Sequence, residues 1–510
     1  MPVVASAGPG GPGGPPEGPP TGGDRPARRR RLPLAVLAAV LLFALVGGGL
    51  AVVRPGPVAG WLGADPSTPP ATAEVAEPEP VPVLAGPDAN ALEPTPDGVR
   101  AALEPLLKAS ELGSRVNVSV ADVTTGRSLF ARGGDAATVP ASVTKLATGV
   151  TVLAARGPDY RIPTRAVAGP TPGEVVLVGG GDPTLAVGGN GFYPDAARLD
   201  DLAKQVKQVL GGTVPSKVTV DSSLFGGPVY EPGWDSDIPT GGFGAAISAL
   251  MTDGARRDPR TAKRNFDAGH GWAERAPQPD LAAGRAFAGL LGLSGSAAEV
   301  KRGTAPATGA DATGAAPAPG TELGKVESLP VIRLVNIMIT SSDNVIAEAL
   351  ARQVALAREQ PASFVGGAAA MDIVIGELGL AADEITLADG SGLSRSNRIS
   401  PSLLTDLITL AGDGTHPELA AIFGGLPVAA WSGTLDGRYQ VPATAAGAGV
   451  VRAKTGTLTR VHAIAGLVTT ADGRLLTFAL LADQAPADSL DDTRRALDRI
   501  TSALARCGCG

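Results

Sequence analysis

The sequence predicts an α/β protein in which an antiparallel sheet is flanked by helices. Two hairpin patterns, residues 115–131 and 461–482, lie near the two ends of the globular part, and helical patterns lie between them. Strands at both ends with helices between them indicate a sheet covered by helices. A third observation, an uncharged apolar run near the N-terminus, adds a transmembrane helix to this domain.

The apolar run covers residues 32–53, which are 22 residues without a charge. As a helix it would be about 33 Å long, enough to cross a hydrocarbon core of about 30 Å. Four consecutive arginines, Arg28 to Arg31, precede it. We therefore expect a disordered cytoplasmic tail over 1–31, a single-pass anchor in the cell membrane over 32–53 and an extracytoplasmic remainder. A cleaved signal peptide is the alternative, although the run exceeds the roughly 7–15 residues of a typical signal core.

The rest of the chain divides by composition and pattern. Proline-rich residues 54–96 predict a semi-rigid linker, and residues 302–320 are a low-complexity stretch that predicts a mobile loop. We assign a first part of the main domain to 97–165, an inserted region to 166–325 and a second part of the main domain to 326–510. Helices are expected over 97–112, 142–156 and 487–505, and strands over 115–121, 128–131, 461–469 and 474–482.

Composition excludes several classes of function. The net charge is −7 and basic residues cluster in one short run only, so no nucleic-acid partner is expected. The two cysteines, Cys507 and Cys509, lie in the last four residues, and the three histidines are scattered singly, so no metal or other cofactor is expected. The cysteine pair could close a strained disulfide, remain as free thiols or bridge two molecules.

A Ser-x-x-Lys pattern begins the predicted helix of residues 142–156. Ser142 and Lys145 are three residues apart and would therefore share one helix face. A serine hydroxyl needs a base to become a nucleophile, and an amine can serve only when it is neutral. Burial and a second cation, for which Lys454 is the candidate, would both lower the pKa of Lys145. The N–H of Ser142 at the helix N-terminus could also stabilise a developing oxyanion.

Two further motifs follow along the chain. In the first of these, Ser342-Asp343-Asn344, Ser342 can relay a proton to a leaving amine, and Asn344 can hold a substrate amide and the lysine of the first motif. Each short motif alone also has an ordinary structural explanation, such as a helix N-cap. The occurrence of all three in this order favours a catalytic site.

The third motif is Lys454-Thr455-Gly456, followed by Thr457. A lysine beside two threonine hydroxyls suits a substrate carboxylate. If this segment forms an edge strand beside the nucleophile, one of its N–H groups can complete an oxyanion hole.

Together the motifs resemble those of the penicillin-interacting serine enzymes, and within them the low-molecular-mass class C penicillin-binding proteins, the D-alanyl-D-alanine carboxypeptidase/endopeptidase family. About 200 residues separate the first two motifs, and this family is known for domains inserted there. The resemblance implies a β-lactamase/transpeptidase-like fold over about 97–505. Three other stretches carry it: residues 178–185 (VGGGDPTL), residues 220–225 (VDSSLF) with Trp234, and residues 389–395 (DGSGLSR) with residues 399–401 (ISP).

The resemblance also implies roles for single residues. Ser142 is then the nucleophile, Lys145 the base, and the backbone N–H groups of Ser142 and Thr457 the oxyanion hole. The catalytic set is completed by Ser342, Asn344 and Lys454, and Thr455, Gly456 and Thr457 contact substrate.

A substrate side-chain pocket is implied in the same way. In actinomycete-type members a Trp-x-x-Asp of the insert contacts the amine of the substrate's long side chain, which points to Trp234 and Asp237 here. The aromatic residue expected a few positions later coincides with Phe243 only approximately. Other pocket positions are matched by Leu393, Arg395 and Leu458.

The implied activity is acyl transfer at the D-Ala-D-Ala end of peptidoglycan stem peptides or at a D-amino-acid crosslink, with β-lactams as covalent inhibitors. Carboxypeptidase and endopeptidase activity stay open. A Ser-His-Asp hydrolase is disfavoured because no Gly-x-Ser-x-Gly elbow occurs. Two further hypotheses are a non-catalytic cell-wall scaffold or β-lactam sensor, and an esterase or β-lactamase of the same superfamily.

Overall fold

The computed structural model describes residues 91–269, 271, 273–307 and 317–509. The expected cytoplasmic tail, the apolar run and all but the end of the linker lie outside the described residues, as does the 308–316 part of the low-complexity stretch. Among the helices in the described ranges, none combines the length and the apolar character needed to cross a membrane.

The strands and helices follow one another as below. The strands are β1 Val116–Asp122, β2 Ser128–Arg132, β3 Pro163–Ala168, β4 Glu174–Val178, β5 Lys217–Asp221, β6 Lys301–Arg302, β7 Glu322–Glu327, β8 Ile385–Thr386, β9 Arg398–Ile399, β10 Val451–Leu458, β11 Val461–Thr469 and β12 Leu475–Ala482. The α-helices are α1 Pro96–Leu103, α2 Thr144–Arg156, α3 Leu199–Val209, α4 Asp237–Thr240, α5 Pro259–Asp267, α6 Pro279–Leu291, α7 Val331–Thr340, α8 Asn344–Ala357, α9 Phe364–Glu377, α10 Pro401–Gly412 and α11 Leu490–Ala505.

The main sheet joins the two ends of the globular part. Its strand order is β10-β11-β12-β1-β2, and every pair in it is antiparallel. Val116 at the start of β1 lies opposite Ala482 at the end of β12, which brings the first and last strands together. The predicted antiparallel sheet flanked by helices is confirmed, and β10 forms one edge of it.

The two faces of the main sheet carry different side chains because residues alternate along a strand. On one face small residues such as Ala463 and Ala479 belong to the apolar core that also contains α2, α7, α8, α9 and α10, and α10 packs directly on the sheet. On the other face larger residues such as Ile464 and Phe478 pack against α1 and α11. The small side chains let the helical layer, which carries two of the three motifs, lie close to the sheet.

A second sheet with its own core lies between the first two motifs. Its order is β6-β5-β4-β3-β7, with β4, β5 and β6 parallel and the remaining pairs antiparallel. Helices α3 and α6 cover its apolar side. Strands β3 and β7 run across the expected domain boundaries at 165/166 and 325/326, and the exact division of the domains stays a prediction.

The three predicted helices have different bounds in the structure, and the last, expected over 487–505, begins at Leu490. The helix expected over 97–112 ends at Leu103, and short 3₁₀ turns replace it, because Pro105 cannot donate to a helical carbonyl and its ring clashes with the preceding turn. The helix expected from 142 begins at Thr144, after a 3₁₀ turn over Ala141–Val143. Ser142 therefore lies in the turn that leads into α2.

The C-terminal tail is fixed against the start of the globular part. Cys507 and Cys509 form a disulfide with each other, which is one of the three states that the sequence allowed. The backbone N–H and the hydroxyl of Thr95 donate to the carbonyl of Cys509 over 2.8 and 2.9 Å. Thr95 also caps α1, so one residue ties the last turn of the chain to its first described helix.

Candidate active site

One cleft brings the three motifs together. A cavity of about 1020 Å³ opens between the helical layer and the edge strand β10. The inserted region and the segment after α10 also contribute to its wall. The motif residues that line it are Ser142, Ser342, Asp343, Asn344, Thr455 and Thr457.

Two close backbone contacts fix the turn that contains Ser142. Ala141 has a φ of +47°, in the left-handed region, so the turn is strained directly before Ser142. A Cβ at Gly456 would lie 2.7 Å from the carbonyl oxygen of Pro140 and 3.0 Å from the N of Ser142. A Cβ at Gly392 would lie 1.9 Å from the carbonyl oxygen of Ala141. Only glycine at these two positions lets β10 and the 389–395 segment close on the turn.

Lys145 is the centre of the hydrogen-bond network. Its Nζ lies 3.1 Å from the Oγ of Ser142 and donates to Asn344 Oδ1 and to the carbonyl oxygen of Ser391, both over 2.6 Å. The side chain is fully buried. A neutral amine has two N–H groups and one lone pair, so the two short bonds use both donors and leave the lone pair facing the serine hydroxyl. This is the arrangement that a general base for Ser142 requires.

Burial sets the protonation of Lys145. It lowers the pKa of this amine from 10.5 to about 8, while the charges of Asp389, Glu348 and Asp343 oppose the shift. Burial and the neighbouring charge of Asp389 in turn raise the pKa of Glu348 to about 7. The amine is therefore partly neutral near neutral pH, which a general base needs.

Lys454 lies on β10 and is also fully buried. Its Nζ donates to Ser342 Oγ over 2.9 Å and to the carbonyl of Thr455 over 2.6 Å. Burial and the charge of Lys145 lower the pKa of Lys454 well below its usual value. We expected Lys454 to lower the pKa of Lys145. In the structure burial lowers the pKa of Lys145, whereas the charge of Lys145 contributes to the lowered pKa of Lys454.

The second motif lies at the start of α8. Ser342 has a φ of +55°, and Asp343 caps the helix by accepting from the N–H groups of Val345 and Ile346. This turn directs the Asn344 amide into the cleft, where its Nδ2 donates to the carbonyl of Phe243 over 2.9 Å while Oδ1 accepts from Lys145. Ser342 and Asn344 thus face the two lysines.

The third motif forms the wall opposite the helices. The hydroxyl of Thr455 donates to Thr434 Oγ1 over 2.7 Å, and Thr457 is exposed to the cleft. Alternation along β10 puts Lys454 on the face of the sheet opposite to these two threonines. The hydroxyls of Thr455 and Thr457 therefore form a polar edge above the buried lysine.

The expected side-chain pocket is only partly assembled. Asp237, Leu393 and Leu458 line the cavity. Trp234 does not, because its ring is buried behind the wall and its Nε1 donates to Asp389 over 2.7 Å. Arg395 forms a bidentate ion pair with Asp235 and is likewise absent from the lining. The carboxylate of Asp237 has no ion-pair or hydrogen-bond partner among the residues that the structure describes.

Sequence reasoning missed Ser391 and Thr434, which contact the lysine of the first motif and the first threonine of the third. Ser391 supplies a backbone carbonyl to Lys145, and Thr434 accepts from Thr455. The 389–395 segment was noticed only for its resemblance, and a backbone carbonyl leaves no trace in residue type. Nothing in the sequence around Thr434 marks it.

His462 was expected to pack in the sheet, and it does. It is 3% exposed on β11, opposite Thr457. Burial, with the charges of Arg494 and Arg438, lowers its pKa to about 4. The Nδ1 of this buried imidazole has no hydrogen-bond partner among the residues that the structure describes, so no carboxylate orients it as a Ser-His-Asp hydrolase would require.

Comparison with known proteins agrees with this geometry. The chain is 37% identical over 484 residues to a carboxypeptidase, DacB, of Mycolicibacterium smegmatis, covering 94% of this chain and 95% of the relative. It is 28% identical to a D-alanyl-D-alanine carboxypeptidase of Actinomadura sp., covering 71% and 77% of the two chains. The crystal structure of penicillin binding protein 4 from Haemophilus influenzae shares the fold with a TM-score of 0.59 at 20% identity, covering 79% of this chain and 97% of that one.

A family match covers most of the described chain. Residues 99–270 and 278–504 match the D-Ala-D-Ala carboxypeptidase 3 (S13) family. The family predicted from the three motifs is thereby confirmed, and with it the class of activity. The chain belongs to the D-Ala-D-Ala carboxypeptidase 3 (S13) family and is a serine-type carboxypeptidase.

Proposed function

We propose that this enzyme cleaves the terminal D-Ala–D-Ala bond of peptidoglycan stem peptides, or a D-amino-acid crosslink, through an acyl-enzyme on Ser142. The observation that carries the proposal is the environment of Lys145. Its buried Nζ lies 3.1 Å from Ser142 Oγ, and its two other contacts are both acceptors. A base built in this way can activate a serine without histidine or metal.

The chemical steps follow from these contacts. Ser142 Oγ attacks the carbonyl carbon of the scissile bond while its proton passes to Lys145 Nζ. The oxyanion is stabilised by the N–H groups of Ser142 and Thr457, as the family resemblance implies. As the C–N bond breaks, the proton that Lys145 accepted passes by way of Ser342 to the leaving amine, so Lys145 is neutral again. Water then hydrolyses the ester with Lys145 as base, and Ser142 recovers its proton.

The terminal carboxylate of the substrate is assigned to the third motif. Thr455 and Thr457 offer hydroxyls on the cleft side of β10, and Lys454 lies beneath them with Ser342. Hydroxyl donors above a buried amine favour an anionic group at this end of the cleft.

Asp237 is assigned to the amine of the substrate's long side chain. It lines the cavity from α4, on the insert side of the cleft, while the neighbouring Asp235 is neutralised by Arg395. An unpaired carboxylate at the cleft wall favours a cationic group on the substrate. Trp234 then acts from behind the wall by holding Asp389.

The membrane location is a proposal that rests on the sequence alone. The uncharged run 32–53, with arginines before it and a proline-rich linker after it, supports an anchor that holds the enzyme outside the cytoplasmic membrane. A tether of this length would let the catalytic domain reach crosslinks away from the membrane surface.

Penicillin should acylate the protein at Ser142, because a β-lactam presents a strained amide and a carboxylate to the same groups as the substrate. Incubation with a labelled penicillin and peptide mass mapping should place one adduct on Ser142, and Ser142→Ala should take up none. Folded wild-type protein that takes up no label would instead favour the non-catalytic scaffold. Rapid, repeated hydrolysis of the penicillin would favour a β-lactamase.

Acylation should depend on pH through Lys145. Because the folded pKa of this lysine is lowered to about 8, its amine is neutral above that pH and protonated below it. The second-order rate constant for acylation should therefore fall about tenfold per pH unit below pH 8 and level off above it. Stopped-flow fluorescence from pH 6 to 9 measures this, with circular dichroism to verify folding. A rate constant that does not change with pH would show that another group is the base.

Asp237→Asn should discriminate against substrates with a free side-chain amine. We expect kcat/KM for a stem peptide with a diamino acid at its third position to fall roughly tenfold, the loss of about 1.4 kcal/mol of charge-assisted bonding. The same peptide with that amine acetylated should be cleaved equally by both proteins. Asp159→Asn, an exposed acid outside the cavity, is the matched control. An equal loss on both peptides would contradict the assignment.

Deletion of residues 1–53 should release the enzyme from membranes. In a bacterial host, the full chain should sediment with the membrane fraction and resist carbonate washing, because a helix of about 33 Å is anchored by the hydrophobic effect. The shortened chain, exported by a cleavable signal, should remain in the supernatant. A full chain in the supernatant with a new N-terminus near residue 54 would show that the run is a cleaved signal.

A further inference from the structure

We propose that Arg256 and Tyr193, two residues of the inserted region, are positioning residues for catalysis: through Asp343 they hold the second motif so that Asn344 stays on Lys145. The inference rests on the proposed function of the same site. It assigns part of the catalytic geometry to a region outside the three motifs.

The two oxygens of Asp343 have separate partners. Oδ1 accepts from the backbone N–H groups of Val345 and Ile346 over 3.0 and 3.1 Å and thereby starts α8. Oδ2 accepts from the hydroxyl of Tyr193 over 2.8 Å and from Arg256 Nη2 over 3.3 Å. One carboxylate therefore joins the helix that carries Asn344 to two side chains of the insert.

This cluster is buried and its parts support one another. Asp343, Arg256 and Tyr193 are 8%, 9% and 4% exposed. Arg256 Nη1 donates to the Tyr193 hydroxyl over 2.8 Å, and its guanidinium lies 3.6 Å from the centre of the Phe192 ring. Burial alone would raise the pKa of Asp343, but the charges of Arg256 and Arg275, together with the hydrogen bonds from Ile346 and Tyr193, lower it and keep the carboxylate ionised. Removing Arg256 would take away the larger of these two cationic contributions and leave the buried charge less compensated.

The backbone directly before Arg256 has a strained conformation, which a segment that only connects two elements would not need. Asp253, Gly254 and Ala255 have φ values of +53°, +60° and +64°, three left-handed residues in succession. The turn is fixed because the N–H groups of Asp253 and Gly254 donate to the carbonyls of Leu185 and Pro183 over 2.8 and 2.7 Å. Pro183 and Leu185 belong to the VGGGDPTL stretch, so that stretch supports the turn that aims Arg256 at Asp343.

A second contact from the insert sets the orientation of the Asn344 amide. Asn344 Nδ2 donates to the carbonyl of Phe243, which leaves Oδ1 to face Lys145. Arg275 donates to the carbonyl of Gly242, next to Phe243, and over 2.6 Å to the carbonyl of Gly254. Arg275 thus links the segment that holds Asn344 to the turn that precedes Arg256.

The insert therefore holds both the carboxylate and the amide of the second motif. Ser342 lies between α7 and this pair with a φ of +55°, a conformation that needs support on both sides. If the support is lost, Asn344 moves away from Lys145. A displacement of about 1 Å at such a group can cost on the order of 100-fold in rate.

Arg256→Gln in the full-length protein tests the inference. We expect the rate constant for acylation at saturating labelled penicillin to fall about 100-fold, while the half-saturating concentration changes less than threefold, because Thr455 and Thr457 are untouched. Arg257→Gln is the matched control: the neighbouring arginine is exposed and pairs with Glu274 on the surface, so acylation should stay within twofold of wild type. Rates are expressed per folded molecule, with folding followed by the thermal midpoint.

Asp343→Asn separates positioning from mere stability. Asparagine keeps a cap for α8 but removes the charge that Arg256 pairs with. Adding Arg256→Gln to this variant should therefore lower the rate constant for acylation less than tenfold. If Arg256→Gln does not fold, Tyr193→Phe, which removes one hydroxyl and keeps the ion pair, should slow acylation about fivefold. Acylation within twofold of wild type in folded Arg256→Gln, or in Tyr193→Phe, overturns the inference and leaves the proposed function intact. Wild-type protein that does not acylate overturns both.

Discussion

The catalytic site depends on weakening the hold of one buried amine on its proton. Lys145 is fully buried, and burial lowers its pKa to about 8. Water cannot solvate its N–H groups, so the protein must supply acceptors, and it supplies two: Asn344 Oδ1 and the carbonyl of Ser391. A third strong acceptor would favour the protonated form. The position opposite the lone pair is instead taken by the hydroxyl of Ser142, which can both accept and donate.

The second buried lysine follows from the same constraint. Lys454 lies close enough to Lys145 for the charge of Lys145 to lower its pKa, and both side chains are removed from water. Two cations in such a place repel each other, so a proton taken up at one disfavours the proton at the other. Ser342 Oγ accepts from Lys454, and Asn344, two residues on, contacts Lys145. The second motif therefore connects the two amines, which suits a group that must pass a proton to a leaving amine.

The sequence predicted well what depends on periodicity and on short-range spacing. The hairpins at both ends appear as β1–β2 and β11–β12 because alternation of side chains specifies a strand directly. It predicted less well what a single residue decides, such as the early end of α1 before Pro105 or the 3₁₀ turn around Ser142. Trp234 was expected to contact substrate, but its ring is buried and its Nε1 donates to Asp389. Arg256 was not singled out, because its partner Asp343 is distant in sequence and no local pattern reports such contacts.

Through Trp234 the inserted region contributes to the catalytic site at a second place. Asp389 accepts from Trp234 Nε1 and from the N–H groups of Gly392 and Ser394, so it closes the loop that contains Ser391. The carbonyl of Ser391 is one of the two acceptors of Lys145, and the other, Asn344 Oδ1, is oriented through Phe243. Each acceptor is thus held by a residue that comes from between the first two motifs. The motifs supply the reacting groups, and the insert fixes the two contacts that leave the lone pair of the base facing Ser142.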